Sequence, residues 1–160
     1  MWNGIRPVGD TMGDRESYLL EVRRIVRAPV ERVFEAWTDP RHLLLWWGPR
    51  NVRCLEASVD LRVGGSYRIV NGMPDGSRLV IRGEFETVIP PAKLVYSWRT
   101  GPDETAAERV TVTFRAVGTD CEIVILHEMI PDRKLRDGHG EGWAGCLDKL
   151  EIFFGTTAPG

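Results

Sequence analysis

The chain has 160 residues, 42% hydrophobic and 28% charged, with a formal net charge of −2. That is one domain's worth of sequence with a sizeable core. Acids and bases are interspersed throughout, with no basic block to follow phosphates and no apolar run near the ~20 residues of a membrane span, so neither a nucleic-acid partner nor a membrane span is expected.

In chain order, the segment 1–16 comes first. Gly4, Pro7, Gly9 and Gly13 break any period, and the basic-then-apolar layout of a signal peptide is missing. A flexible N-terminal tail is predicted over 1–16, with Met12 an alternative start to Met1, and a single domain over 17–156. "YLLEVRRIV" then alternates, with Leu20, Val22, Arg24 and Val26 on one face of a strand. Ala28-Pro29 stops it, and "PVERVFEAW" spaces Val30, Val33, Phe34 and Trp37 as a short helix. Asp39-Pro40 caps a second short helix. It runs into "LLLWWGPRN", where Gly48-Pro49 forces a turn beside two tryptophans. Adjacent helical residues diverge by about 100°. Trp47, in line with Leu43 and Leu44, is therefore expected inward, and Trp46 at a rim or mouth.

About six strands follow, punctuated by Gly64-Gly65, Asn71-Gly72, Pro90-Pro91 and Gly118-Thr119-Asp120. Their inward parity selects Tyr67 and Ile69; Leu79, Ile81 and Phe85; Leu94, Tyr96 and Trp98; Val110, Val112 and Phe114; and Cys121, Ile123, Ile125, His127 and Met129. Arg109, Thr113, Arg115 and Glu122 take the outer face. Gly83 interrupts the inward row. Past Pro131, "RDGHGEG" reads as a glycine-rich connector. "GWAGCLDKLEIFF" then sets Trp143, Leu147, Leu150 and Phe154 on one stripe of a helix of about four turns. One strand, two short helices, about six further strands and a long helix predict an α+β fold. A curved antiparallel sheet wraps the last helix.

Four segments carry a family resemblance: "APVERVFEAWTDPRHLLLWWGP", "DLRVGGSY", "IPPAKLVYSW" and "GWAGCLDKLEIFF". In this order they resemble the helix-grip superfamily of birch pollen allergen, steroidogenic-regulatory-type lipid transfer domains and polyketide cyclases. More narrowly, they resemble the group named after the activator of the heat-shock protein 90 ATPase. The resemblance implies the helix-grip fold, an internal cavity for an apolar ligand, and, through the group's name, a stress-response role as a chaperone regulator. No counterpart of the co-chaperone's separate N-terminal domain is expected within 160 residues.

Catalytic chemistry is sparsely signalled. Of the three histidines, His42 is expected solvated and His139 mobile in the connector. His127 shares inward parity, either as a satisfied core residue or as a ligand contact. Arg24 points inward too, and requires a carboxylate partner within the chain or an anionic ligand group. Cys54, Cys121 and Cys146 are widely separated. They read as buried hydrophobes of a reducing, cytoplasmic protein, not as a disulfide frame or zinc site. No His, Cys or acidic pair stands at ligand spacing on one inferred face, so neither metal nor cofactor is expected.

Two functions of different classes follow. One is a module that binds a small hydrophobic or aromatic molecule, lipid-like or polyketide-like, between sheet and final helix. Its expected wall is Trp47, Tyr67, Ile81, Phe85, Tyr96, Trp98, Val112, Phe114, Ile125, His127, Trp143, Leu147 and Leu150, with Arg24 a polar anchor and a volume of a few hundred Å³. The other is a protein-interaction domain with a chaperone as partner. An enzyme of cyclase or hydrolase type ranks below both. Monomer and homodimer both remain open.

Overall fold

The computed structural model describes residues 6–8, 17–101 and 106–157. Within them the order is β1 (Arg6–Val8), β2 (Tyr18–Val26), α1 (Val30–Thr38), α2 (Pro40–Trp46), β3 (Arg53–Val59), β4 (Ser66–Gly72), β5 (Arg78–Ile89), β6 (Lys93–Thr100), β7 (Glu108–Val117), β8 (Asp120–Ile130) and α3 (Arg133–Thr157). The strands form one antiparallel sheet ordered β1-β2-β8-β7-β6-β5-β4-β3. Every pairing but β2 with β8 joins neighbours in sequence, so the first long strand meets the last. The sheet curves around α3, which packs on β2, β8 and α2. This is the helix-grip architecture expected from the element order. Three residues of the expected tail, Arg6–Val8, instead pair with β2 at the sheet edge. The rest of 1–16 lies outside the described residues.

Strand parity follows the sequence pattern closely. Val112, Phe114, Ile123 and Ile125 are buried, while Arg115 on the opposite face is exposed. Arg109, Thr113 and Glu122 are half-buried, because long outer side chains lie on one another: Arg115 reaches Glu122 at 2.7 Å and Arg109 reaches Glu86 at 3.1 Å. Met129 is a correction. A bulge opposes Glu128 and Met129 to the single residue Leu19, between the pairs Tyr18 with Ile130 and Leu20 with His127. Met129 turns out in a left-handed conformation (φ 64) and Ile130 takes the inward place. Leu79 is half-buried. Gly83 has a steric reason: a Cβ there would lie 1.9 Å from the Ser97 carbonyl oxygen.

Both helical expectations near the tryptophans and at the C-terminus need correcting. Asp39 caps α2 by accepting from the Arg41 amide, as its Asp-Pro pair predicts. The helix, however, stops at Trp46, and Trp47 is already extended (φ −65, ψ 145). The divergence of helical neighbours therefore does not apply, and both indoles are buried. Leu43 and Trp46 form the inward pair, three apart, and Leu44 is exposed. Helix α3 spans 25 residues, about twice the expected stretch, because "RDGHGEG" is helical. Its start is capped by the Asp132 carboxylate, which accepts the Leu135 amide at 2.7 Å. One of its glycines is a docking point: a Cβ on Gly145 would lie 2.7 Å from Pro49 Cβ, so α3 meets the Gly48-Pro49 turn backbone to ring.

Candidate functional site

Trp46, expected at a rim or mouth, is instead buried in the core. Its indole N–H donates to the Ala36 carbonyl at 2.9 Å and it is essentially inaccessible. Trp47 instead stands edge-on to Trp143 of α3, ring centroids 5.6 Å apart, and Trp98 of β6 leans on the same Trp143 at 5.4 Å. These three rings form one side of a cavity of about 330 Å³. Strands β4 to β6 contribute Asn71, Ile81 and Thr100, and α3 contributes Gly138, His139, Gly142 and Cys146. A Cβ on Gly138 or Gly142 would touch nothing within 4 Å. Each glycine costs helix stability, about 1 kcal/mol against alanine, and leaves that much more space. Burial pushes the Cys146 thiol up to about 12, so it meets the cavity uncharged.

The expected wall divides into three groups. Trp47, Ile81, Trp98 and Trp143 line this cavity. Tyr67, Phe85 and Tyr96 lie beyond Trp47 and Trp98, around a separate void of only about 30 Å³. Their hydroxyls are satisfied within the protein: Tyr67 donates to the Ser97 carbonyl at 2.7 Å, and Tyr96 accepts from the Trp37 indole at 3.5 Å. Val112, Phe114, Ile125, His127, Leu147 and Leu150 belong to the packed core, off the cavity wall. The interior is thus mostly filled, and the open space lies toward α3's N-terminal half. Arg24 has partners within the chain: its guanidinium donates to Asp148 at 2.9 Å and Glu151 at 3.2 Å. It ties β2 to α3.

A buried polar cluster stands behind the cavity. Glu108, from the start of β7, accepts on one carboxylate oxygen from His127 Nε2 at 2.8 Å and from His139 Nε2 at 2.9 Å. The two imidazoles stack, centroids 4.3 Å apart and 16° from parallel. Trp143 donates its indole N–H to His127 Nδ1 at 3.0 Å. An indole nitrogen is only a donor, so neutral His127 must carry its proton on Nε2, where Glu108 accepts it. Burial holds the His127 pKa down to about 4 against the pull of Glu108. Burial also works against the Glu108 charge, but hydrogen bonds from both histidines outweigh it and keep that carboxyl below its ordinary range. His139, the outer ring, reaches the cavity wall; His42 is half-buried against Phe153.

The sequence signalled no metal set, yet these three side chains put potential ligand atoms within 4.8 Å of one another. The chemistry does not favour a metal. Metal-bound imidazoles donate from their second nitrogen, whereas His127 accepts there, which keeps the proton on the nitrogen a metal would need. The cluster is a hydrogen-bonded anchor. Two signals for it were present in the sequence. Glu108 shares the parity of Val110, Val112 and Phe114, and His139 stands four residues before Trp143 on the α3 stripe. The glycines around His139 masked the second.

Four buried side-chain polar atoms among the described residues lack a partner: Trp47 Nε1, Trp98 Nε1, Asn71 Oδ1 and His42 Nδ1. Such a group costs about 1–3 kcal/mol. Three of the four belong to side chains of the cavity wall.

The family model for activator of Hsp90 ATPase homolog 1-like protein matches residues 27–155. Among solved structures, the protein CV1439 of Chromobacterium violaceum is 25% identical with a TM-score of 0.77, over 84% of this chain and 95% of its own. The AHSA1 protein SPO3351 of Silicibacter pomeroyi is 24% identical with a TM-score of 0.77, over 86% and 98%. Protein Ms6760 of Mycobacterium smegmatis, 18% identical, gives a TM-score of 0.74 over 97% and 99%. No curated protein matches the chain.

Proposed function

Since the chain belongs to the activator of Hsp90 ATPase homolog 1-like family, we propose that it binds one small, largely apolar molecule in the cavity between α3 and strands β4 to β6. The carrying observation is that cavity: about 330 Å³, walled by Trp47, Trp98, Trp143 and Ile81 and widened by Gly138 and Gly142. Its size falls at the lower end of small-molecule sites. The Glu108–His127–Trp143 chain of hydrogen bonds holds the Trp143 ring in place, so the wall is formed before any ligand arrives. The polar atoms on the wall are few and fixed, as suits recognition.

The chaperone-regulator alternative rests on the family's name, whereas the cavity is a feature of this chain. A titration with Nile red tests the proposal. Saturable, one-to-one enhancement of the dye's fluorescence, reversed by small aromatic competitors, is the expected result. A protein that leaves the dye's emission unchanged across the titration would refute it and return attention to the outer surface.

A further inference from the structure

Resting on the cavity-binding reading above, we propose that the cavity is also a hydrolytic site. In it His139, positioned by Glu108, is the general base that adds water to a small uncharged ester with a good leaving group.

A carboxylate only accepts hydrogen bonds, so the His139 Nε2 that meets Glu108 at 2.9 Å carries the proton. In the neutral ring Nδ1 then keeps its lone pair. That Nδ1 has no partner among the described residues and is not one of the four buried unpartnered atoms, so solvent reaches it. The His139 side chain is 15% exposed and lines the cavity. One imidazole nitrogen held by a buried carboxylate, with the other open, is the arrangement of a general base. The carboxylate fixes the tautomer and stabilises the imidazolium that forms. His127 offers no such nitrogen, because Glu108 and Trp143 take both of its own. Burial also favours its neutral form, so it sets no second charge against the stacked His139 ring as that ring takes up a proton. Gly142 follows His139 by three residues on α3 and lines the same cavity. A Cβ there would meet nothing within 4 Å, which leaves room for a water and an acyl group.

The step balances without a further reactant. His139 Nδ1 takes a proton from water as the water oxygen bonds to the acyl carbon and the carbonyl π pair moves to its oxygen. The pair returns, the bond to the leaving oxygen breaks, and that oxygen takes the proton back from the imidazolium. Ester and water give acid and alcohol. The wall carries no Lys or Arg to balance an anion and no Asp or Glu to act as a second acid or base. A single base suits an uncharged ester whose leaving group departs without prior protonation, such as a phenyl or enol ester.

The probe is 4-nitrophenyl butyrate, followed by release of 4-nitrophenolate over many turnovers. Wild type is expected to show saturable hydrolysis faster than free imidazole at equal concentration. Run in H₂¹⁸O, the reaction should put one ¹⁸O into the butyrate. His139→Gln should lower kcat at least about 100-fold and leave KM unchanged. Glu108→Gln, which sets a neutral amide behind the ring, should lower kcat with KM likewise unchanged, a split that a merely structural role would not give. His42→Gln, off the cavity wall, should match wild type. Thermal melts and Nile red binding accompany every variant. Hydrolysis no faster than free imidazole, or equal in folded His139→Gln, would overturn this inference while Nile red binding keeps the cavity reading. Loss of both hydrolysis and dye binding in folded wild type would overturn both.

Discussion

His127 stands between an indole that donates to one ring nitrogen and a carboxylate that accepts from the other, so the site is built for its neutral form. That has a consequence for pH. Its folded-state pKa of about 4 lies below the ordinary 6.5, so between these values the unfolded chain binds a proton that the folded chain refuses. Stability from this group is complete above pH 6.5 and is lost as pH falls toward 4, up to about 3 kcal/mol over the interval. Glu108, also lowered, adds a loss of the same sign only below its own ordinary range. Urea unfolding midpoints between pH 7.5 and 5 should therefore fall steeply in the native chain and much less in His127→Gln, which stays neutral. Parallel slopes would assign the pH dependence elsewhere. Glu108→Gln can keep its one amide oxygen under both histidine donors but turns two charge-assisted bonds into neutral ones, and is expected to cost about 1–3 kcal/mol at pH 7.5 in the same assay.

Helix α3 shows how one residue type serves opposite ends. Gly145 exists for contact, since a Cβ there would collide with Pro49; Gly142 exists for space, since nothing lies within 4 Å of its Cβ position. Gly142→Ala should raise stability by about 0.5–1 kcal/mol through helix propensity. Gly145→Ala should lower it, because the Pro49 ring at 2.7 Å must shift. Thermal denaturation of the two variants, moving in opposite directions, checks the assignment. These glycines also explain what was hard to read. Strand faces were legible because a period of two survives any single exception, and Phe114, Ile123 and Ile125 are buried as that period requires. The N-terminal half of α3 was not, because "RDGHGEG" carries loop chemistry wherever it sits in a chain. The Asp132 cap was the countersignal. The end of α2 was lost for a related reason: one residue decides whether Trp47 is helical, and Gly48-Pro49 stops the helix sooner than the apolar spacing suggests. Met129 inverted because a bulge is a local event that alternation does not announce.

For the molecule as a whole, the helix-grip order was legible from Leu20 to Phe154, and the aromatic interior with it. The site was half legible. Trp47, Ile81, Trp98 and Trp143 were named as wall, but inward parity does not separate a packed interior from a hollow one. Leu147 and Phe114 face inward and touch other side chains, whereas His139 and Gly142 border open space. That distinction depends on how far α3 stands from the sheet, a property of the assembled fold. The central claim is that this space is a binding site, and Gly142 offers the most direct trial, because it lines the cavity and a Cβ added there meets nothing within 4 Å. In a Nile red titration of wild type and Gly142→Phe, compared at matched thermal stability, the account predicts saturable binding by wild type and at least about tenfold weaker binding by the variant. Equal affinity in the two proteins, both folded, would contradict it.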